Sequence, residues 1–178
     1  MPERWAALLR GVNLGPRNRV AMADLRRVVE EAGCNDVGTY IQSGNVVFSA
    51  DGGRDELARR LESAVAGELG VESTIVLRRA PELAKLLGAH PFGQDTSKTH
   101  VVFLAKRPSA AAVRALRAED VAPDEVEVAG TDVLMRLPNG VQGARVTGAL
   151  LERRLGVPGT MRTWRTVERL AALATPTP

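Results

Sequence analysis

Cysteine is almost missing from this chain. One residue, Cys34, occurs in 178, which excludes an internal disulfide and any site built from several thiolates. Histidine is nearly as scarce, with His90 and His100 alone. Their spacing suggests no metal pair, so no metal is expected and no cofactor is implied. The chain carries no GxSxG elbow, no GxGxxG fingerprint and no GxxxxGK[ST] loop, so triad hydrolysis and the familiar nucleotide sites have no support. Aromatics are only 3% of residues, too few for a base-stacking sheet, and RNA recognition is poorly supported. No apolar run approaches the roughly 20 residues that cross a bilayer. The opening Met1-Pro2-Glu3-Arg4-Trp5 lacks the charged-then-apolar layout of a signal peptide. A cytoplasmic protein with no membrane partner is the expectation.

What is present is ordinary globular material with an uneven charge distribution. Hydrophobic residues make up 44% and charged residues 25%, with a net charge of +3. Arg4, Arg10, Arg17 and Arg19 face Glu3 alone near the start, and Arg145, Arg153, Arg154, Arg162, Arg165 and Arg169 face Glu152 and Glu168 near the end. The stretch between is net acidic. If the two basic ends met they would favour an anionic partner, whereas the plainer reading is that these side chains are solvated.

Residues 5–9 are a continuous apolar run of strand length, and the Gly- and Pro-punctuated residues 11–19 form a loop. From Met22 the spacing of Leu25, Val28, Val29 and Ala32 is helical, and Gly33 closes the helix. Residues 37–42 and 46–49 read as strands joined by a turn at Ser43-Gly44-Asn45. A helix bearing Leu57, Leu61, Val65 and Leu69 follows, then a strand at 73–77. This is the β-α-β-β-α-β order of a ferredoxin-like, split-βαβ lobe. After a short helix at 81–87 the pattern partly repeats, with strands at 100–105, 125–129 and 132–137. Ser109 caps a helix to about Arg117, a polar loop runs over 138–147, and helices are expected at 148–155 and 161–174. No fourth strand is visible in this half. The fold class expected is therefore α+β, two ferredoxin-like lobes packed together, residues 1–79 and 80–178, the second irregular with extra C-terminal helices. Because residues 5–9, 46–48 and 101–104 are apolar at consecutive positions, their strands should be covered on both faces.

The strings Leu9-Arg10-Gly11-Val12-Asn13-Leu14-Gly15, Asn18-Arg19, Met22-Ala23-Asp24-Leu25-Arg26 and Thr39-Tyr40-Ile41-Gln42-Ser43-Gly44-Asn45-Val46-Val47-Phe48 resemble a bacterial family, domain of unknown function 1697. Leu151-Glu152-Arg153-Arg154-Leu155-Gly156-Val157, with Thr160, Arg162, Trp164, Thr166 and Val167, is similar to that family's C-terminal signature. The resemblance implies two ferredoxin-like lobes and no activity. Where the family often has Ser-Lys this chain has Ala144-Arg145, and Arg162-Thr163-Trp164 stands where Arg-Asn-Trp is frequent. A catalytic Ser or Asn would thus be lost here, while binding by charge would survive.

The loop from Arg10 to Arg19 is the first candidate for chemistry. It leaves a strand and enters a helix, so backbone amides and the helix N-terminus can face an anion, with Arg10, Asn13, Arg17, Asn18 and Arg19 as donors and Gly11 and Gly15 allowing close approach. The alternative is an ordinary βα loop whose Asn residues satisfy turn geometry. Arg145, in the loop before a helix, and Arg162, expected in the first turn of the last helix where a cation opposes the dipole, are further anion-binding candidates. Gln42, Ser43 and Asn45 in the hairpin and Trp164 are secondary candidates, Trp164 either as core or as a stacking ring. The hairpin is expected at the opposite end of its sheet from the Arg10–Arg19 loop, so the C-terminal basic residues are expected to complete the site. Cys34 reads as a small buried filler.

Three readings stand. The first is binding of a phosphate-bearing small molecule or nucleic acid at these loops. The second is an enzyme of unassigned class using the same groups. The third is an interaction module in which the polar motif residues pair with protein atoms.

Overall fold

The structure is a computed structural model and describes residues 1–175. The elements in chain order are β1 (Glu3–Leu9), α1 (Met22–Glu31), β2 (Asn35–Tyr40), β3 (Asn45–Ala50), α2 (Arg54–Leu69), β4 (Ile75–Arg79), α3 (Ala80–Gly88), β5 (Thr99–Leu104), α4 (Ala110–Arg117), β6 (Glu125–Ala129), β7 (Asp132–Arg136), α5 (Gly148–Leu155), β8 (Gly159–Thr163) and α6 (Trp164–Ala174). This is an α+β protein with two four-stranded antiparallel sheets, ordered β2-β3-β1-β4 and β6-β7-β5-β8. Backbone contacts divide the described residues into Met1–Leu86 with 169–175, and Leu87–Glu168. Here α3 counts almost wholly with the first unit, and so does the second half of α6.

In the first unit Trp5, Ala7 and Leu9 of β1, Val46 and Phe48 of β3, and Ile75 and Leu77 of β4 form one core with Leu25, Val28 and Val29 of α1 and Leu57, Leu61 and Val65 of α2. These are the alternate positions of the strands and the helix-period positions of α1 and α2, as side-chain geometry requires. The intervening Ala6, Leu8, Val47 and Val76 are buried too, so β1 has no wet face from Trp5 to Leu9. In the second unit Val102, Leu104, Val133, Met135, Leu116, Leu151 and Leu155 form the equivalent core. Cys34 is buried, and burial pushes its thiol pKa up against the opposing influence of Arg60.

Three expectations are corrected. The second half does have a fourth strand: β8 pairs antiparallel with β5, from Leu104↔Gly159 to His100↔Thr163. The last helix begins at Trp164, so Met161 and Arg162 are strand residues. Gly159-Thr160-Met161-Arg162-Thr163 is short, polar at alternate positions and followed by Trp164 at the three-residue spacing that suggests a helix, which is why it hides in sequence. Each half thus reads β-α-β-β-α-β-α. Even its buried arginines match. Arg78 and Arg162 are each the fourth residue of a five-residue strand, opposite Ala6 and Val101. Each donates from Nη1 to the preceding residue's carbonyl, Leu77 O at 2.9 Å and Met161 O at 2.8 Å.

The third correction concerns the hairpin. Both β1 and β2 run antiparallel to β3, so they point the same way and end at the same edge of the sheet. The β1–α1 loop and the β2–β3 hairpin therefore lie at the same end, not at opposite ends.

Candidate functional site

At that end of the first unit three connections meet. Leu9 N donates to Gly44 O at 2.9 Å and Arg10 N to Thr74 O at 3.0 Å, joining the β1–α1 loop to the hairpin on one side and to the α2–β4 connection on the other. Ser73 Oγ adds a bond to Arg10 O at 2.7 Å.

Asn13 is the staple. Its Oδ1 accepts from Val20 N, and its Nδ2 donates to Val20 O and to Gln42 O, all at 2.8 Å. Its own N–H donates to Asn18 O at 3.0 Å. One amide side chain thus closes the loop on itself and locks it to the hairpin. Asn13 and Asn18 both sit at φ 54, a left-handed conformation that Asn tolerates better than most residues. Asn18 Nδ2 reaches Gly11 O at 3.4 Å, and Gly11 itself is at φ 71. A Cβ on Gly11 or Gly15 would meet nothing within 4 Å, so no protein group crowds either glycine.

The hairpin is built the same way. The turn is 41–44, because Tyr40 and Asn45 are the last paired residues. Asn45 is fully buried, and its Nδ2 donates to Tyr40 O at 3.1 Å and Ser43 Oγ at 2.8 Å. Gly44 has φ 76, and a Cβ there would stand 2.6 Å from Val12 Cγ2 and 2.9 Å from Leu9 Cβ. Only glycine lets the hairpin seat on β1. Ile41 is at φ 48, a conformation that strains a β-branched side chain.

Arg10, Arg17, Asn18 and Arg19 are exposed around this scaffold, and so is Gln42. The adjoining cleft has a volume of about 500 Å³ and is lined by Arg10, Gly11, Asn18, Glu62, Ser63, Ala66, Glu72, Ser73 and Thr74. Its charge is mixed: Arg10 shares it with two glutamates, of which Glu62 accepts from Ile75 N at 2.9 Å. The basic surface is the outside of the 17–19 loop, beside the start of α1. That helix has Ala21 at its N-cap and no side-chain cap.

Arg145 and Arg162 belong to the second unit and are not drawn together within it. Arg145 is exposed and 3.8 Å from Asp120, and its backbone N–H donates to Asp124 Oδ2 at 2.6 Å, beside Val146 N at 2.9 Å. Asp124 is buried, so the 138–147 loop is anchored at this point. Arg162 is buried on β8 with Nη1 on Thr160 Oγ1 at 2.6 Å, and burial lowers its pKa to about 10. The argument that it opposes a helix dipole falls with the helix. Trp164 is buried and meets the His90 ring edge-on at 4.7 Å. His90 Nδ1 donates to Gly93 O at 2.9 Å, and its Nε2 lies 2.8 Å from Thr99 Oγ1. Among the described residues no group of three His, Cys, Asp or Glu could hold a metal ion, and no helix is long and apolar enough to cross a membrane.

Leu14, Ile41, Glu62, Glu72 and Ser73 were not singled out from sequence. Leu14, an aliphatic residue inside a polar loop, was the one readable sign. Ile41 sits in a string that looks like a strand.

Comparison with known proteins adds family and fold. No curated protein matches. A solved structure, that of the conserved bacterial protein SP0830 from Streptococcus pneumoniae, is similar with a TM-score of 0.81 at 21% identity, over 98% of this chain and 100% of that one. That likeness concerns the fold. The model of a family described as a protein of unknown function, DUF1697, matches residues 2–134, and the chain belongs to this family.

Proposed function

We propose that the protein binds an anionic partner at the loop end of its first unit, through Arg17 and Arg19 with Arg10 and Asn18 at the rim. The observation that carries this reading is the α1 N-terminus, which begins from Ala21 without a side-chain cap and follows directly on those arginines. Uncapped first-turn amides and the positive end of the helix dipole favour an anion. Helix α2 also starts uncapped, from Gly53, but Asp55 and Glu56 lie in its first turn and supply negative charge. Helix α1 has only Asp24 there. In this reading Asn13, Gln42, Ser43 and Asn45 are scaffold rather than ligand contacts, since the side chains of Asn13 and Asn45 are engaged by the protein itself. Each unit is read as a ferredoxin-like plait in a cytoplasmic protein, on the β-α-β-β-α-β order. Arg145 and Arg162 are not needed by it.

The test is binding of the full chain to immobilised heparin, a polyglutamate peptide and inorganic phosphate, each over a salt series. Retention of at least one probe should fall as salt rises. In the Arg17→Gln/Arg19→Gln variant affinity should drop about tenfold per arginine. Equal binding by variant and parent, or no binding to any probe at low salt, overturns the proposal.

A second reading, an interaction module, is favoured by Asn13, whose side chain bridges loop and hairpin instead of awaiting a ligand.

A further inference from the structure

Two large aliphatic side chains stand in solvent beside the basic loop: Leu14 is 84% exposed and Ile41 51% exposed. Each is one residue along the chain from the Asn13–Gln42 hydrogen bond that ties the two loops together. Neither belongs to the hydrophobic core of the first unit. Ile41 works against the fold, holding φ 48 in a turn, whereas the nearby left-handed positions use Gly11, Asn13, Asn18 and Gly44, which take that region at low cost. An exposed β-branched residue in a costly conformation is a marker of a functional contact.

Resting on the proposed anion-binding reading, we infer that this end of the first unit docks an acidic protein segment carrying an aliphatic anchor. Its anchor packs on Leu14 and Ile41, and its carboxylates face Arg17 and Arg19. Charge complementarity selects this occupant over an anionic membrane. The cleft beside the arginines holds Glu62 and Glu72, which a flat sheet of lipid phosphates would meet with repulsion. A peptide can place a basic or amide side chain there. The loops are already hydrogen-bonded into shape, so docking asks little reordering of this side.

The experiment pans a phage library of random dodecapeptides against the full chain and, in parallel, measures sedimentation with vesicles of equimolar phosphatidylcholine and phosphatidylserine. Enriched peptides should combine carboxylates with Leu, Ile or Val. Leu14→Ser and Ile41→Asn should each weaken them about tenfold or more, the loss of one buried aliphatic contact. Ile41→Asn should at the same time raise Tm by about 2–4 °C as the strain is relieved, which separates lost contact from lost folding. Acidic peptides without an aliphatic residue, insensitive to both variants but lost in Arg17→Gln/Arg19→Gln, overturn this inference and leave the anion-binding reading intact. Vesicle binding with no peptide enriched replaces the protein partner by a membrane. Failure to enrich any peptide or bind vesicles overturns the inference, while the heparin, polyglutamate and phosphate series judges the anion-binding reading separately.

Discussion

Replacing Asn13 by Asp keeps the shape of the side chain while exchanging one NH₂ group for one oxygen and adding a negative charge, so it tests what that amide does. In the native protein Nδ2 donates to Val20 O and Gln42 O, both at 2.8 Å, while Oδ1 accepts from Val20 N. The aspartate keeps the last bond and forfeits the other two, each worth about 1 kcal/mol net. It also places a carboxylate oxygen against two carbonyl oxygens, which must move apart or leave the carboxylate poorly solvated, at about 1–3 kcal/mol more. The sum is about 3–5 kcal/mol. Asn13→Ala loses all three bonds, orphans Val20 N–H on a buried residue, and puts an ordinary L-residue at φ 54, for about 3–4 kcal/mol. Urea unfolding followed by tryptophan fluorescence and far-UV circular dichroism measures both, and Tm should fall by about 6–20 °C for the aspartate and about 6–16 °C for the alanine. If Asn13→Ala lowers stability by less than about 1 kcal/mol, the stapling argument is wrong. The side chain would then be available to a ligand.

Gly44→Ala should destabilise by about 2–4 kcal/mol, combining the left-handed backbone with overpacking against Val12 and Leu9. Gly11→Ala bears only the backbone cost of about 1 kcal/mol, since its Cβ meets nothing. Equal losses in urea titrations of the two would refute the seating of the hairpin on β1. Asp124→Ala should lower stability by about 2–4 kcal/mol, because two N–H groups, of Arg145 and Val146, lose their acceptor. Amide exchange at Val146 should quicken in the same variant, and unchanged protection would show the 138–147 loop to be held by other contacts. Burial lowers the His100 pKa in the folded protein, against a hydrogen bond to the Lys98 backbone that raises it and with the Lys98 charge pushing it further down. The unfolded chain therefore binds the proton first as pH falls through about 6.5, and stability drops with it. Comparing unfolding free energies at pH 7.5 and 5.5, His100→Gln should show a shallower decline than the parent; an identical decline would remove His100 as its source.

How much of this was legible in the chain depends on how local each feature is. The strand at residues 5–9, the helical spacing of Leu25, Val28 and Val29, and the hairpin before Val46-Val47-Phe48 are encoded in periodicity and composition over a few residues, and these elements are present, although the turn is at 41–44 and takes in Ile41 and Gln42, which were expected in the strand. The order β-α-β-β-α-β of the first unit follows from them directly, as do the buried alternate faces of the apolar strands. The strings around Asn13 and Tyr40–Phe48 carried enough identity to indicate the family. Strand β8 was hidden, because its stability comes from pairing with β5 across more than fifty residues and not from a pattern of its own.

The candidate site divides along the same line. That Arg10, Arg17 and Arg19 stand in a polar loop before a helix is a property of the sequence. That the same loop meets the Gln42–Asn45 hairpin is a property of strand direction, since β1 and β2 end together only because both are antiparallel to β3. The role of Asn13 was decided there too. Whether an amide greets a ligand or a carbonyl depends on what lies 2.8 Å away, and here that is Gln42 O, twenty-nine residues along the chain. Sequence by itself determined which residues are charged, apolar or permissive of a left-handed turn. Tertiary structure alone decided which were consumed in holding the loops and which, Leu14, Ile41, Arg17 and Arg19, were left facing water, because hydrogen bonds and burial depend on distance in space rather than along the chain.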